Sequence, residues 1–440
     1  MADQALVDSG IVDGQYYQKS DERNPDNPDR FKAFSPRLGF AFRPGSDEKT
    51  VIRGGWGIFY DSAELREIDG AADIYPYVSR TSLQQSVTQT TPLQTTDQLF
   101  TSFTSQGQAT PAANTFLAVS MSPEPRNPYV YQWSLGVQRQ VAKSTTAELN
   151  YVGSKGHDLL MRINIAQALE YSASRPSVAE RKPFPNFGVY IDSTWSGTSK
   201  YNGLNAKIEH HGRSVLATFA YTWSKSTDSK SAAAGIGASG FNGWQGFLNN
   251  HNPGLDYGLS DFDVDHRAVA SFVWSLPFGK GERFAGDASG VKNAIIGGWQ
   301  LNGIYTWQRG FPITIQAADQ GNVLDSFGTN RANVSGTPSD GGSIEQWFDT
   351  SAFTQPALGQ FGNSLRNMLR GPGINNLDLA LFKNFDLTRG ARLQFRFESF
   401  NAFNHPQFNA VSTNMTSSTY GQVTGARPGR INQLGLKLIW

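Results

Sequence analysis

The chain has 440 residues, of which 38% are hydrophobic, and its 38 basic and 37 acidic side chains give a formal net charge of +1. This balance gives no electrostatic reason to expect a nucleic acid partner, and the absence of cysteine excludes disulfides and thiolate ligands. The 45 glycines, 29 phenylalanines and 15 tyrosines instead predict a β-rich chain with many turns.

The first 36 residues are polar and contain no apolar core of a secretion signal. A protein bound for the cell surface needs such a signal, so either the chain is intracellular or its beginning is missing. We favour the second explanation. Residues 1–36 are then predicted to be part of an outer loop that leads into the first strand near Arg37.

Five pairs of alternating segments follow, and each pair is joined by a short turn. Strict alternation of apolar and polar residues is the period of a strand that buries one face. The apolar positions of the ten segments, pair by pair, are Leu38, Phe40 and Phe42 with Ile52, Trp56 and Ile58; Tyr131, Trp133, Leu135 and Val137 with Ala147, Leu149 and Tyr151; Leu204, Ala206 and Ile208 with Val215, Phe219, Tyr221 and Trp223; Ala268, Phe272 and Trp274 with Trp299, Leu301, Tyr305 and Trp307; and Leu377, Leu379 and Leu381 with Leu393, Phe395 and Phe397.

An eleventh segment closes the chain, where Leu434, Leu436, Leu438 and Trp440 alternate with Gln433, Gly435 and Lys437. Strands of about ten residues are long enough to cross a bilayer. Long segments separate the pairs, at 61–129, 154–199, 225–265, 308–374 and 401–429. Unstructured connections of this length argue against a compact soluble domain. The sequence therefore predicts an all-β fold: residues 37–440 as part of an antiparallel transmembrane β-barrel, with short periplasmic turns and long extracellular loops.

The two faces of these strands are expected to meet different solvents. Aromatic and aliphatic residues, several near strand ends, predict a lipid-facing girdle, whereas charged residues on the opposite face predict a water-filled lumen. Packing inside a soluble sandwich is the alternative for the first set, and solvent outside one for the second. The predicted girdle is Tyr131, Trp133, Tyr221, Trp223, Trp299, Trp307, Phe395, Phe397, Leu436, Leu438 and Trp440; the predicted lumen lining is Glu148, Lys207, Glu209, Arg392, Gln394, Arg396 and Glu398.

Several of these segments carry a family likeness. They include LRGPGINNLDLALFKNF, LQFRFESFNAFNHPQF and GLSDFDVDHRAVASFVWSLPFGKG, and the similar stretches are 34–61, 127–159, 201–228, 258–281, 297–314 and 369–408. In this order, over nearly the whole chain, they resemble the C-terminal half of the barrel of Oar-like TonB-dependent outer-membrane receptors. Those receptors often carry a carboxypeptidase-regulatory-like domain and are abundant in acidobacteria.

The resemblance implies a fold, a role and partners. Such receptors are similar to 22-stranded barrels filled by a plug, so about eleven strands form half of the wall, and the plug and signal peptide are absent from this sequence. It implies a monomeric barrel in the outer membrane of a Gram-negative bacterium that takes up a bulky ligand: a siderophore, an oligosaccharide or a peptide. The implied partners are outer-membrane lipid, the inner-membrane TonB energy complex through the missing plug, and the barrel-assembly machinery through the C-terminal strand.

The sequence offers one weak metal candidate and no catalytic constellation. Asp261, Asp263 and Asp265 begin like a calcium loop, but the glycine and glutamate that such a loop needs are missing. The preferred explanation is a loop that settles onto a strand, with Arg267 pairing an acid. Neither G-x-S-x-G, nor a P-loop, nor H-E-x-x-H occurs, so we expect no enzymatic activity and no cofactor.

Two questions stay open at this point. The loop aromatics could bind a sugar or peptide ligand or could be ordinary loop residues: Trp195, Tyr201, Trp244, Phe247, Tyr257, Trp347 and Phe353. A secreted β-rich adhesin or surface-layer module is the alternative to a receptor, and a passive porin is a further one, because loop composition does not encode a ligand.

Overall fold

Eleven long strands form the main body of the computed structural model, which describes residues 33–46, 48–61, 116–121, 126–185, 187–231, 247–321, 330–387 and 390–440. In chain order they are β1 (Arg37–Phe42), β2 (Thr50–Tyr60), β3 (Tyr129–Ala142), β4 (Thr145–Asn164), β5 (Phe187–His211), β6 (Val215–Asp228), β7 (His266–Ser275), β8 (Trp299–Gln308), β9 (Ile374–Asp386), β10 (Arg392–Phe400) and β11 (Ile431–Ile439).

The shorter elements lie in the connections between these strands. The α-helices are α1 (Val178–Arg181) and α2 (Gly290–Ile296), and the 3-10 turns are Pro253–Asp256 and Thr350–Ala352. Neither helix has the length and apolar content to cross a bilayer, and no other described helix does. The short strands are Phe116–Met121, Gly258–Leu259, Pro312–Ile313, Gln316–Ala317, Asn330–Arg331, Asn333–Val334, Phe353–Thr354, Leu369–Arg370, Phe408–Val411 and Val423–Ala426.

The long strands hydrogen-bond to their sequence neighbours in one antiparallel sheet, in the order β1 to β11 without a crossover. This up-and-down order confirms the predicted fold class, and all eleven predicted strands are present. Within the described residues β1 and β11 do not pair with each other, so the sheet has two edges and the barrel is not closed. Residues 1–32 of the predicted N-terminal loop lie outside the described residues.

The predicted division into short and long connections needs two corrections. The segment 154–199 is largely strand, since β4 continues to Asn164 and β5 begins at Phe187. Its alternation is lost because residues on both faces, such as the adjacent Tyr190 and Ile191, are buried. Moreover, the connection between β7 and β8 on the short-turn side is not tight, because it contains α2.

A hydrophobic core cluster lies in the connections, apart from the buried side chains such as Met161 and Ile191 at the far ends of β4 and β5. Ile315, Ala332, Phe348, Phe353 and Leu369 are buried together with the other core members Ala317 and Ala352, and Met415 and Tyr420 from the β10–β11 connection pack against them. We call residues 309–321, 330–373 and 401–430 the loop module. The prediction that 308–374 is unstructured is therefore wrong: its short strands pair in three small ladders and bury apolar side chains that show no strand-like period.

Two glycines in the sheet lie beneath the rings of neighbouring aromatic residues. Gly153 is the register partner of Trp133, and Gly303 is the register partner of Phe272. A Cβ atom at either glycine would collide with the opposing ring. The ring covers the glycine backbone, a known way to stabilise a glycine within a strand.

We predict that Gly303→Ala destabilises the sheet by about 1 kcal/mol, because the methyl group displaces the Phe272 ring. The free energy of unfolding of G303A, F272A and the double variant measures this coupling. The double variant should cost little more than F272A alone. Gly55→Ala is the control, since a Cβ there makes only ordinary contacts. Additive effects of the two substitutions would contradict the prediction.

Candidate functional site

One face of the sheet carries all of the predicted girdle residues that lie within strands. The register makes Trp56, Trp133 and Gly153 neighbours, and it also aligns Phe397 with Leu434 and Phe395 with Leu436. Register partners point to the same side of a sheet. We call this the apolar face. Following partners across the ladder adds the remaining predicted positions Tyr131, Tyr221, Trp223, Trp299, Trp307 and Leu438.

The apolar face is open to its surroundings although it is rich in large hydrophobic side chains. Leu135 is 53% exposed and Leu436 is 70% exposed, and Trp440, which follows the end of β11, is 92% exposed. A soluble protein seldom leaves so large a continuous apolar surface uncovered. This surface therefore needs an apolar environment.

The opposite face, which we call the polar face, carries all seven predicted lumen residues in two separate groups. Glu148 is the register partner of Lys207, and the Lys207 ammonium lies 2.6 Å from a Glu209 carboxylate oxygen. The second group follows β10, where the Arg396 Nε donates to Gln394 over 2.6 Å. Arg392 pairs with Asp386 over 2.9 Å.

Glu398 lies apart from these contacts, in a pocket of about 380 Å³ on the polar face. Its polar lining includes Thr218, Ser271, Asn302 and Asp378. Convergent polar groups on a concave surface are typical of ligand sites.

Further polar-face residues escaped the sequence analysis. Arg53 donates to Gln138 over 3.2 Å, and Thr222 donates to Asn205 over 2.8 Å. Their parity along each strand was visible in the sequence, because each alternates with apolar neighbours. Their pairing was not visible, because it depends on which strands are adjacent and in what register.

The three candidate metal ligands bind arginines instead. Asp261 accepts from Arg366 over 3.1 Å, Asp265 lies 2.8 Å from Arg309, and Asp263 pairs with Arg370. The expected partner Arg267 is not among them. In the described part of the chain, no group of three acidic or histidine side chains is placed to hold a metal ion.

These ion pairs join two separate connections of the chain. Arg366 and Arg370 lie in the loop module and bind carboxylates of the β6–β7 region, and Arg331 adds a third pair by binding Asp256 over 2.6 Å. Asp263 is only 1% exposed. We call the residues Asp228, Asp256, Asp261, Asp263, Arg331, Arg366 and Arg370 the loop clamp. It fixes the loop module against the end of β6 and the start of β7.

Lys230 lies next to the loop clamp without a hydrogen-bond partner for its ammonium group. Its Nζ lies 4.4 Å above the Phe247 ring. Burial lowers the pKa of Lys230 from 10.5 to about 8, although the nearby Asp256 carboxylate opposes that shift. The cost of burying this charge is therefore only partly offset by its surroundings.

Most of the loop aromatics are structural. Phe247, Trp195 and Phe353 are 1%, 5% and 4% exposed, and the Trp347 indole donates to the Arg370 carbonyl over 2.8 Å. A buried ring cannot contact a ligand from outside. Tyr257 remains 46% exposed, Tyr201 is partly buried in β5, and Trp244 lies outside the described residues.

We predict that Arg370→Met costs about 3–5 kcal/mol of local stability, because it leaves the buried Asp263 carboxylate without its cation. Hydrogen exchange of residues 258–265 measures this opening. Adding Asp263→Asn removes the unpaired charge and should restore part of the protection.

Arg392→Met is the matched control, since its ion pair with Asp386 is 52% and 81% exposed and should contribute less than about 1 kcal/mol. Equal effects of R370M and R392M would contradict the role of the loop clamp.

We also predict that the loop module becomes more stable as the pH rises from 8 to 10. The pKa of Lys230 is about 8 in the folded protein and 10.5 in an unfolded chain, so the unfolded state binds more protons in this window. The gain should be about 1–2 kcal/mol. Hydrogen exchange of residues 330–370, corrected for the intrinsic rate, measures it. Lys230→Met should remove the slope, and a slope that persists in K230M would refute this assignment.

Proteins of known family and known structure resemble this chain. Residues 5–433 match the family model described as "Outer membrane beta barrel domain". No curated protein matches the chain.

Among solved structures, the outer membrane transporter YddB from Escherichia coli is 12% identical, with a TM-score of 0.48 over 91% of this chain and 40% of that one. The FrpB iron transporter from Neisseria meningitidis is 12% identical, with a TM-score of 0.40 over 92% and 39%. BauA, the ferric preacinetobactin receptor from Acinetobacter baumannii, is 9% identical, with a TM-score of 0.41 over 91% and 36%.

The chain thus spans about two fifths of the length of these structures. The family match rests on nearly the whole sequence, and it agrees with an antiparallel sheet that exposes an apolar face. The chain belongs to the outer-membrane β-barrel domain family, and it is a protein of the outer membrane.

Proposed function

We propose that the chain forms part of the barrel wall and the outer loops of a TonB-dependent receptor of the Oar-like type. Its role would be the uptake of a bulky ligand such as a siderophore, an oligosaccharide or a peptide. One observation carries the proposal: a single sheet has an open apolar face, a polar face with a pocket, and a folded loop module attached at one end.

In this proposal the apolar face contacts lipid and the polar face lines the lumen. Backbone groups in hydrocarbon must be hydrogen-bonded within the protein, which an antiparallel sheet achieves everywhere except at its edges. The polar side chains that alternate with the apolar ones then face water inside the barrel. The lumen pocket with Asp378 and Glu398 would be a contact point for ligand or plug.

The proposed partners follow from the same arrangement. Both edges of the sheet need further strands, since unpaired backbone groups in lipid cost several kcal/mol each. We propose that these strands and a plug belong to the same receptor, that residues 1–36 join an outer loop, and that the TonB energy complex acts through the plug. The edge strand β11 would be engaged by the barrel-assembly machinery, and the closed barrel would be monomeric.

We predict that brominated acyl chains quench the tryptophan fluorescence of the membrane-embedded protein, because several indoles would lie on the lipid-facing surface. Replacing Trp223 and Trp307 by Phe should lower the quenched fraction. Trp347→Phe is the control, since this indole is part of the loop module. Equal quenching in all variants, or none in the wild type, would overturn the lipid-facing assignment.

Two further measurements separate the receptor from its alternatives. A protein that resists a salt wash of isolated outer membranes is embedded, whereas release by salt would support the adhesin. Steady conductance of the full gene product in liposomes would support a passive porin, and a closed barrel without conductance would support a plugged receptor.

A further inference from the structure

Three lysines interrupt the apolar face on three neighbouring strands. Lys155 on β4 and Lys200 on β5 are direct register partners. Lys225 on β6 is diagonal to Lys200, because Lys225 pairs with Asn202 two residues further along β5. All three side chains are exposed. We call them the lysine triad.

The lysine triad is not neutralised within the described part of the chain. No hydrogen bond or ion pair holds any of the three ammonium groups there, in contrast to Lys207, which pairs with Glu209. Like charges directly opposite each other on a sheet are destabilising. An anion from outside the sheet that lies between the ammonium groups would remove this repulsion.

On the apolar face of the described residues, the strands next to the triad carry no free cation at the same level. At the corresponding level on β7 and β8, the His266 imidazole hydrogen-bonds to the Tyr221 hydroxyl over 2.7 Å. Arg309 just beyond β8 is paired with Asp265. The triad is therefore a local cluster of unpaired charge and not a uniform ring of basic residues.

The position of the triad points to the membrane surface. Each lysine lies about ten residues along its strand from the short-turn end, which is the length that crosses a bilayer. Trp223 precedes Lys225 on the same face, and Tyr131 is the register partner of Lys155. Such rings favour the interface between hydrocarbon and head groups.

We propose that the lysine triad binds the phosphate of an anionic lipid head group in the outer leaflet. This inference depends on the proposed orientation of the apolar face toward lipid. Lysine is a compact charge that suits a phosphate approached from several directions, and three exposed ammonium groups on adjacent strands can surround one. The apolar band below the triad would hold the acyl chains of the same lipid.

The test measures binding of a short-chain phosphatidic acid to the full-length protein in zwitterionic detergent, with the matching phosphatidylcholine as reference. Each basic residue near an anionic surface contributes about fivefold in affinity. The triple variant K155Q/K200Q/K225Q should therefore bind phosphatidic acid about a hundredfold more weakly than the wild type. Binding of phosphatidylcholine should not change.

The matched control is K49Q/K143Q/K280Q, which removes the same charge from exposed lysines at the short-turn end. This control should bind like the wild type, and an equal loss in both triple variants would overturn the proposal. So would equal binding of the two lipids by the wild type, or inorganic phosphate binding as tightly as the lipid. When the lipid-binding test fails but brominated acyl chains still quench the tryptophan fluorescence, only the head-group inference is wrong. When that quenching is absent as well, the lipid-facing orientation is also wrong.

Discussion

The structure depends on the pairing of every backbone N–H and C=O group where the chain meets hydrocarbon. Eleven antiparallel strands in sequence order provide this pairing with local connections only. The ladder fixes two faces, because successive side chains point to opposite sides. The open apolar face, the polar face and the long connections at one end are all consequences of this one arrangement.

The sheet and the connections bury apolar side chains differently, and this difference follows from the same constraint. A single sheet whose apolar face is open cannot bury that face against itself, and the described cluster of buried apolar side chains from distant segments lies in the loop module. That module is attached to the strand ends by buried ion pairs such as Arg331–Asp256. Buried ion pairs contribute little net free energy of folding, because removing both charges from water is costly. They favour one geometry, since separating the partners leaves an uncompensated buried charge.

The polar face combines two properties that a ligand pathway needs. Opposite charges lie side by side there, since Lys207 pairs with Glu209 and has Glu148 as its register partner, so they present a polar surface with balanced charge. The pocket near Glu398 is lined by groups from six adjacent strands, β5 to β10, which only the ladder brings together. The sheet thus positions the lining, while the loop clamp attaches the loop module to the end of β6 and the region before β7.

The sequence by itself determined the strands, their faces and their order. A period of two is a local property, so each alternating segment could be recognised alone, and short turns dictate which neighbours pair. For this reason the register puts the predicted girdle residues within strands on one face of the sheet and the predicted lumen residues on the other.

Only the tertiary structure decided the contacts between segments distant in the chain. The aspartates at 261, 263 and 265 suggested a cation site, and the arginines that bind them lie far away in the loop module, where no spacing rule connects them. The loop aromatics suggested a binding surface, and burial removes Trp195, Phe247 and Phe353 from it. The like-charged pair Lys155–Lys200 became apparent only from the register, because strand pairing and not sequence distance brings the two ammonium groups together.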